Sequence, residues 1–128
     1  MRLKINSSNL CSCVHPEQAR LCTTHFCFHL RPGHYVYIEA SAPRQFGDVA
    51  RIISQEYPAT LGTCMRFWYY MIGSDLGQFN VYIEVNGNQG ASVWSRSTSG
   101  YDLWRIAEVN VQTSYPFRVS FKFVYSMD

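Results

Sequence analysis

The sequence predicts an all-β domain, a two-sheet antiparallel β-sandwich, and three observations carry that prediction. Short runs alternating between apolar and polar residues recur along the chain, about seven in all, the period-2 signature of strands buried on one face. Gly, Pro and Asn clusters separate the runs at close spacing. No segment of about eleven residues or more carries the 3.6-residue apolar period of an amphipathic helix. Strands with one apolar and one polar face suit two sheets sharing a core. At 128 residues, the chain is about the size of one such domain.

Taken in order, residues 1–31 stand apart. They hold Cys11, Cys13, Cys22 and Cys27 together with His15, His25 and His29. They show neither sustained alternation nor a helical stripe, so this segment is expected to be irregular and is left unassigned. From Arg31-Pro32-Gly33 the pattern changes, and residues 32–128 form the predicted domain. His34 to Ser41 (HYVYIEAS) sets Tyr35, Tyr37 and Glu39 opposite Val36, Ile38 and Ala40. Turn chemistry over residues 42–48 leads to a second short strand, Val49 to Ser54.

The longest regular stretch is Cys64 to Val85. Met65, Phe67, Tyr69 and Met71 share one face, with Arg66, Trp68 and Tyr70 on the other. After Gly73-Ser74-Asp75-Leu76-Gly77, Phe79, Val81, Ile83 and Val85 alternate with Asn80, Tyr82 and Glu84. Two such runs around a Gly-punctuated break predict a hairpin, with Phe67, Tyr69, Phe79 and Val81 in the core. Asn86-Gly87-Asn88-Gln89-Gly90 reads as a tight turn. Ser92 to Ser95, carrying Trp94, is a short strand, and Arg96 to Gly100 a polar loop. Leu103 to Val111 follows, with Trp104, Ile106, Val109 and Val111 as candidate buried residues. In the last strand Phe117, Val119, Phe121, Phe123 and Tyr125 alternate with Arg118, Ser120 and Lys122.

Composition excludes some functions. Formal net charge is +2 and no basic run occurs, so no nucleic-acid partner is expected. No apolar stretch approaches the roughly 20 residues needed to span a bilayer, so no membrane insertion by this segment is expected. The N-terminus has early positive charge without an apolar run behind it and does not read as a signal peptide. The cysteines number five, so they cannot all pair within one chain.

Cys11, Cys13, Cys22 and Cys27, with His15, His25 and His29, are zinc-ligating types, but their spacing matches no regular finger. A hydrolytic site needs a nucleophile, a base and an orienting group, and no nucleophile turn lies near His34. Glu39, Asp48 and Glu84 would have to converge to act as paired carboxylates. Trp68, Trp94 and Trp104 with the tyrosines are candidates for a sugar-binding platform, although aromatic residues of small β-domains mostly pack. Asn6-Ser7-Ser8 is an N-glycosylation acceptor pattern. No catalytic, metal-ligating or cofactor-binding residue is assigned, and no cofactor is expected.

The central stretch also carries a resemblance. Cys64-x-x-Phe67-Trp68-Tyr69-Tyr70-Met71-x-Gly73, then Leu76-Gly77-x-Phe79-x-Val81-Tyr82, closely resembles the signature region of MAM domains. These are extracellular modules of meprins, neuropilins and receptor-type tyrosine phosphatases. Gly33 to Ser41 and Ala50 to Ser54 look like the two preceding strands of that family. Val93-Trp94, Trp104-x-x-Ala107-x-Val109 and Phe117-x-Val119-x-Phe121 look like its later ones. The resemblance covers residues 32–125 and implies a jelly-roll-like sandwich. It departs from the family at both ends: residues 1–31 lack the opening Cys, Phe-Glu and Cys pattern, and the family's final strand and last cysteine have no counterpart before Ser126-Met127-Asp128. A fragment, or a mispredicted gene product, with an intact middle and incomplete edges is therefore expected.

In the family the cysteine matching Cys64 bridges to that last cysteine, so the resemblance makes Cys64 half of a structural disulfide whose partner is missing. It implies a non-catalytic, extracellular adhesion or recognition module of a larger membrane or secreted protein, with other proteins or a second copy as partners. Exposed loops such as Ser74-Asp75, Asn86 to Gln89 and Arg96 to Tyr101 are the expected contacts. A carbohydrate-binding module, or zinc binding by the N-terminal segment, is the alternative. Incomplete edges also predict low solubility or oligomerisation of the isolated chain.

Overall fold

The computed structural model describes residues 2–6, 12–14, 35–39, 45–73, 77–97 and 102–125. All regular structure among them is β: β1 (Arg2–Asn6), β2 (Ser12–Val14), β3 (Val36–Glu39), β4 (Val49–Ile53), β5 (Thr60–Ile72), β6 (Gly77–Val85), β7 (Asn88–Ser97), β8 (Arg105–Thr113) and β9 (Arg118–Tyr125). They form a five-stranded and a four-stranded antiparallel sheet. The expected sandwich is present.

In the five-stranded sheet, β5 is the axis. β8 runs along one edge of it, from Thr60↔Thr113 to Tyr69↔Arg105. β1 and β2 follow one another along the opposite edge, from Arg2↔Ile72 to Asn6↔Trp68 and from Ser12↔Met65 to Val14↔Thr63. β3 adds outside β1. The four-stranded sheet has the order β4-β9-β6-β7.

The core is the sum of the alternating faces. Met65, Phe67, Tyr69 and Met71 of β5 and Ala107, Val109 and Val111 of β8 are buried from one side. Phe79 and Val81 of β6 and Val119, Phe121, Phe123 and Tyr125 of β9 are buried from the other, with Phe117 just ahead of β9. Phe67 is fully buried and makes edge contacts across the interface with Phe79 at 5.9 Å, Trp94 at 5.2 Å and Phe121 at 5.3 Å. Burial of such a ring contributes roughly 2–3 kcal/mol, and edge-to-face geometry adds to it.

Four expectations change. Cys64 to Val85 is not a hairpin: β5 and β6 lie in different sheets and face each other across the core. Alternation reports which face a strand buries, and it is the same whether its neighbour is paired beside it or packed opposite. Arg2–Asn6 and Ser12–Val14, expected to be irregular, are strands: the first alternates polar and apolar residues over only five positions, the second has three residues, and both pair with β5. The turn after Val85 is limited to Asn86-Gly87, with φ of 52° and 76°, the left-handed pair of a type I′ turn. β7 therefore starts at Asn88 and runs to Ser97 through register shifts against β6, exposed apart from Trp94. Such an edge strand has little alternation to read.

The fourth change is the phase of β8. Trp104 and Ile106 were expected in the core with Val109 and Val111. Ala107, Val109 and Val111 are buried, whereas Trp104 and Ile106 are 37% and 45% exposed. The register with β5 decides this, since Phe67↔Ala107 and Met65↔Val109 are core pairs and Trp68↔Ile106 is an outer one.

Candidate recognition surface

The two outer faces of the sandwich differ in chemistry. On the four-stranded sheet the outward phase of β6 is polar, and its residues are tied to their neighbours. The Ser95 hydroxyl donates to Asn80 Oδ1 at 2.7 Å, and Gln78 Nε2 donates to Ser95 Oγ at 3.2 Å. The Lys122 ammonium lies 6.0 Å from the Tyr82 ring centroid. Glu84 is 6% exposed and forms an ion pair with Arg51, whose Nε donates to Ser120 Oγ at 2.9 Å. A buried carboxylate needs such a counter-charge and donor. Saturated with internal partners, this face presents few groups poised for a ligand.

The outer face of the five-stranded sheet is aromatic. Tyr70 comes from the outward phase of β5, Trp104 from the approach to β8, and Tyr35 and Tyr37 from β3 and the residue before it. The Tyr35 and Trp104 rings meet at 6.0 Å, Tyr70 and Trp104 at 5.6 Å, and Tyr35 and Tyr37 at 6.4 Å. The Tyr70 hydroxyl donates to Asp102 Oδ1, which holds the segment before β8 over the sheet. Leu103 and Ile106 extend the patch and are about half exposed. Arg66 and Glu108, ion-paired at 2.7 Å across β5 and β8, lie next to the Trp68↔Ile106 pair. An apolar centre beside charged residues is the anatomy of a protein-contact surface.

The remaining expected residues fall as follows. Trp68 and Trp104 belong to the outer face, whereas Trp94 packs inward on Tyr69 at 5.0 Å and Phe79 at 5.4 Å. The three tryptophans do not share one platform. Arg96, expected in a contact loop, lies on β7 with its guanidinium 5.9 Å from the Trp94 centroid, covering the margin of the core. Asn86 and Gly87 form an exposed turn, while Ser74, Asp75 and residues 98–101 lie outside the described residues.

Asp48 accepts the Gln45 amide on its carboxylate at 2.9 Å, and its backbone pairs with Tyr125. Glu84 is opposite Arg118 at the other end of β9, so the two acids are about 23 Å apart at the strand rise of roughly 3.3 Å per residue. That exceeds the roughly 5–9.5 Å of glycosidase pairs. Glu39 belongs to a strand of the other sheet. Asp48 and Glu84 do not converge.

Asn6 ends β1 opposite Trp68, and Cys64 is half-buried on β5. Of the proposed zinc ligands, Cys13 is in β2, while Cys11, Cys22, Cys27, His15, His25 and His29 lie outside the described residues, as does His34. Among the described residues no helix is long and apolar enough to cross a membrane.

The aromatic face itself was half legible. Alternation places Trp68 and Tyr70 opposite the core of β5. The meeting of Tyr35 with Trp104 depends on β3 and β8 lying in one sheet, which no local pattern encodes.

Comparison with known proteins agrees with this architecture. The family described as MAM domain, meprin/A5/mu, matches residues 12–127. The chicken (Gallus gallus) MAM domain-containing glycosylphosphatidylinositol anchor protein 1 is 37% identical over 93 residues, covering 70% of this chain and 10% of that protein. The human MAM domain-containing glycosylphosphatidylinositol anchor protein 2 is 31% identical over 103 residues, 72% of this chain and 11% of its own length. Mouse MAM domain-containing protein 2 is 27% identical over 99 residues, 77% of this chain and 14% of its own. The chain thus spans about a tenth to a seventh of the length of these relatives. No solved structure matches it significantly.

Proposed function

From the premise that this chain belongs to the MAM family, we propose that it is a non-catalytic extracellular recognition module that binds another protein through the aromatic face of its five-stranded sheet. The observation that carries the proposal is the exposure of Tyr35, Tyr37, Leu103, Trp104 and Ile106 around one ring cluster. Apolar side chains gathered on one face are costly to leave in water and become favourable on docking. Two similar proteins are named as glycosylphosphatidylinositol anchor proteins, which supports a cell-surface setting for the parent of this module. A non-catalytic role is supported by the structural engagement of Glu84 with Arg51 and of Asp48 with Gln45.

The test is capture of partners from cell-surface extracts, and bead-to-bead aggregation, by the purified chain. Tyr37→Arg and Trp104→Ala are expected to weaken binding at least tenfold without changing the circular dichroism spectrum. Lys122→Glu on the opposite face is expected to leave binding intact. Bead aggregation by the chain alone would identify a second copy as the partner. Equal binding by all three variants would refute the assigned face. Competition by simple sugars would replace the protein partner with the carbohydrate alternative.

A further inference from the structure

We infer that Tyr70 is a positioning residue of the aromatic face: its hydroxyl, through Asp102, fixes the orientation in which Trp104 is presented. Tyr70 grips the segment before β8 at two points. Its hydroxyl donates to Asp102 Oδ1, and its ring lies 5.6 Å from the Trp104 ring at 47°. Tyr35, just ahead of β3, meets Trp104 at 6.0 Å and 65°. Trp104 is thus flanked by two rings, and the hydrogen bond ties down the chain that carries it.

The tie matters because neither the β5–β8 ladder nor the core orders this segment. That ladder ends at Tyr69↔Arg105, one residue short of Trp104, and the chain bends at Leu103. Asp102, Leu103 and Trp104 are all exposed. Tyr70, by contrast, is half-buried on β5, which pairs with β1 along one edge and β8 along the other. A tyrosine fixed on such a strand is a rigid anchor, since its ring turns about only two side-chain bonds. A carboxylate is also the stronger, charge-assisted kind of acceptor for its hydroxyl. A Trp104 already held in its docking orientation does not have to be ordered when a partner arrives, and pre-organisation removes that cost.

The consequence for binding rests on the proposed recognition role, whereas the latch itself does not. Where the aromatic face docks a protein, loss of the Tyr70 hydroxyl weakens binding by about tenfold, the scale of ordering one large side chain and its short segment on docking. That loss acts through Trp104. In a chain without the Trp104 ring, removing the hydroxyl therefore weakens binding no further. A hydroxyl that touched the partner itself would weaken binding equally with and without Trp104.

The full chain, labelled with 5-fluorotryptophan, reports Trp104 by fluorine NMR, with its line assigned by Trp104→Phe. The wild type is expected to give one sharp Trp104 line. Tyr70→Phe, which keeps the ring, and Asp102→Ala should broaden that line or move it towards the shift of free fluorotryptophan. Asp102→Asn, which keeps an acceptor oxygen, should retain most of its sharpness. Melting temperatures of these variants should stay close to that of the wild type. In parallel, beads carrying each variant at graded density are incubated with biotinylated, detergent-solubilised cell-surface protein, and retention is read with streptavidin. Tyr70→Phe should raise the half-saturating bead density about tenfold, Trp104→Ala at least as much, and the double variant no more than Trp104→Ala alone. An unchanged Trp104 line in Tyr70→Phe, or a further loss in the double variant, would overturn the inference. Retention untouched by Trp104→Ala would instead refute the recognition face, and the fluorine lines then decide the latch on their own.

Discussion

Glu84 is nearly sealed beneath neighbouring strands while its counter-ion, Arg51, remains 41% exposed. The pair is asymmetric, and so are the consequences of breaking it. Removing the guanidinium leaves a carboxylate with little access to water and also takes a hydrogen bond from Ser120. Loss of one partner of a fully buried pair costs about 3–5 kcal/mol, and partial exposure of Arg51 reduces this to about 1–3 kcal/mol. Arg51→Met is therefore expected to lower the unfolding free energy, measured by urea titration, by that amount. Arg51→Met combined with Glu84→Leu should recover part of the loss, because the stranded charge is gone. A double-mutant cycle in urea measures the coupling, and additive losses would contradict it. The same chemistry explains why Glu84, which alternation assigns to an outward face, is buried: Arg51 comes from β4, on the far side of β9. Its solvation was therefore not readable from β6.

At the scale of elements, β8 shows what a one-residue difference in phase means. Val109 is opposite Met65 and buried, whereas Ile106 is opposite Trp68 and 45% exposed. Both are β-branched and apolar, so composition alone treats them alike. Val109→Lys places an ammonium between Met65 and the opposing sheet and is expected to prevent cooperative folding. Ile106→Lys, on the outer face, is expected to alter stability by no more than about 0.5 kcal/mol. Thermal melts of the two variants distinguish these outcomes, and comparable destabilisation of both would contradict the assigned phase. β9 makes the opposite case. Its alternation is so regular that Phe117, Val119, Phe121, Phe123 and Tyr125 are identifiable as core from sequence, because both neighbours, β4 and β6, keep one register along it.

For the molecule as a whole, the distribution of apolar surface has a consequence beyond recognition. Tyr37 is 62% exposed, and Tyr35, Leu103 and Ile106 are each nearly half exposed. β7 pairs with β6 alone among the described strands, and its free edge runs for ten residues. An aromatic face and an unpaired edge both favour association. The isolated chain is expected to self-associate at concentrations of tens of micromolar, a range set by weak interfaces with free energies of about −6 kcal/mol. Tyr37→Arg together with Ile106→Lys should shift it towards monomer in sedimentation velocity. A wild-type chain that stays monomeric at tenfold higher concentration would exclude this behaviour.

Local alternation by itself determined the sandwich class and most of its core, because burial of one strand face depends on a pattern of consecutive residues. Phe67, Tyr69, Phe79 and Val81 needed nothing further, and the signature around them carried the family. Tertiary structure alone decided that β5 and β6 belong to different sheets, that β1 and β2 share an edge of β5, and that Trp104 faces outward beside Tyr35. It also decided that Cys64 lies opposite Cys13. These outcomes rest on backbone hydrogen bonds between residues far apart in the chain, and such pairings leave no trace in the spacing of neighbours.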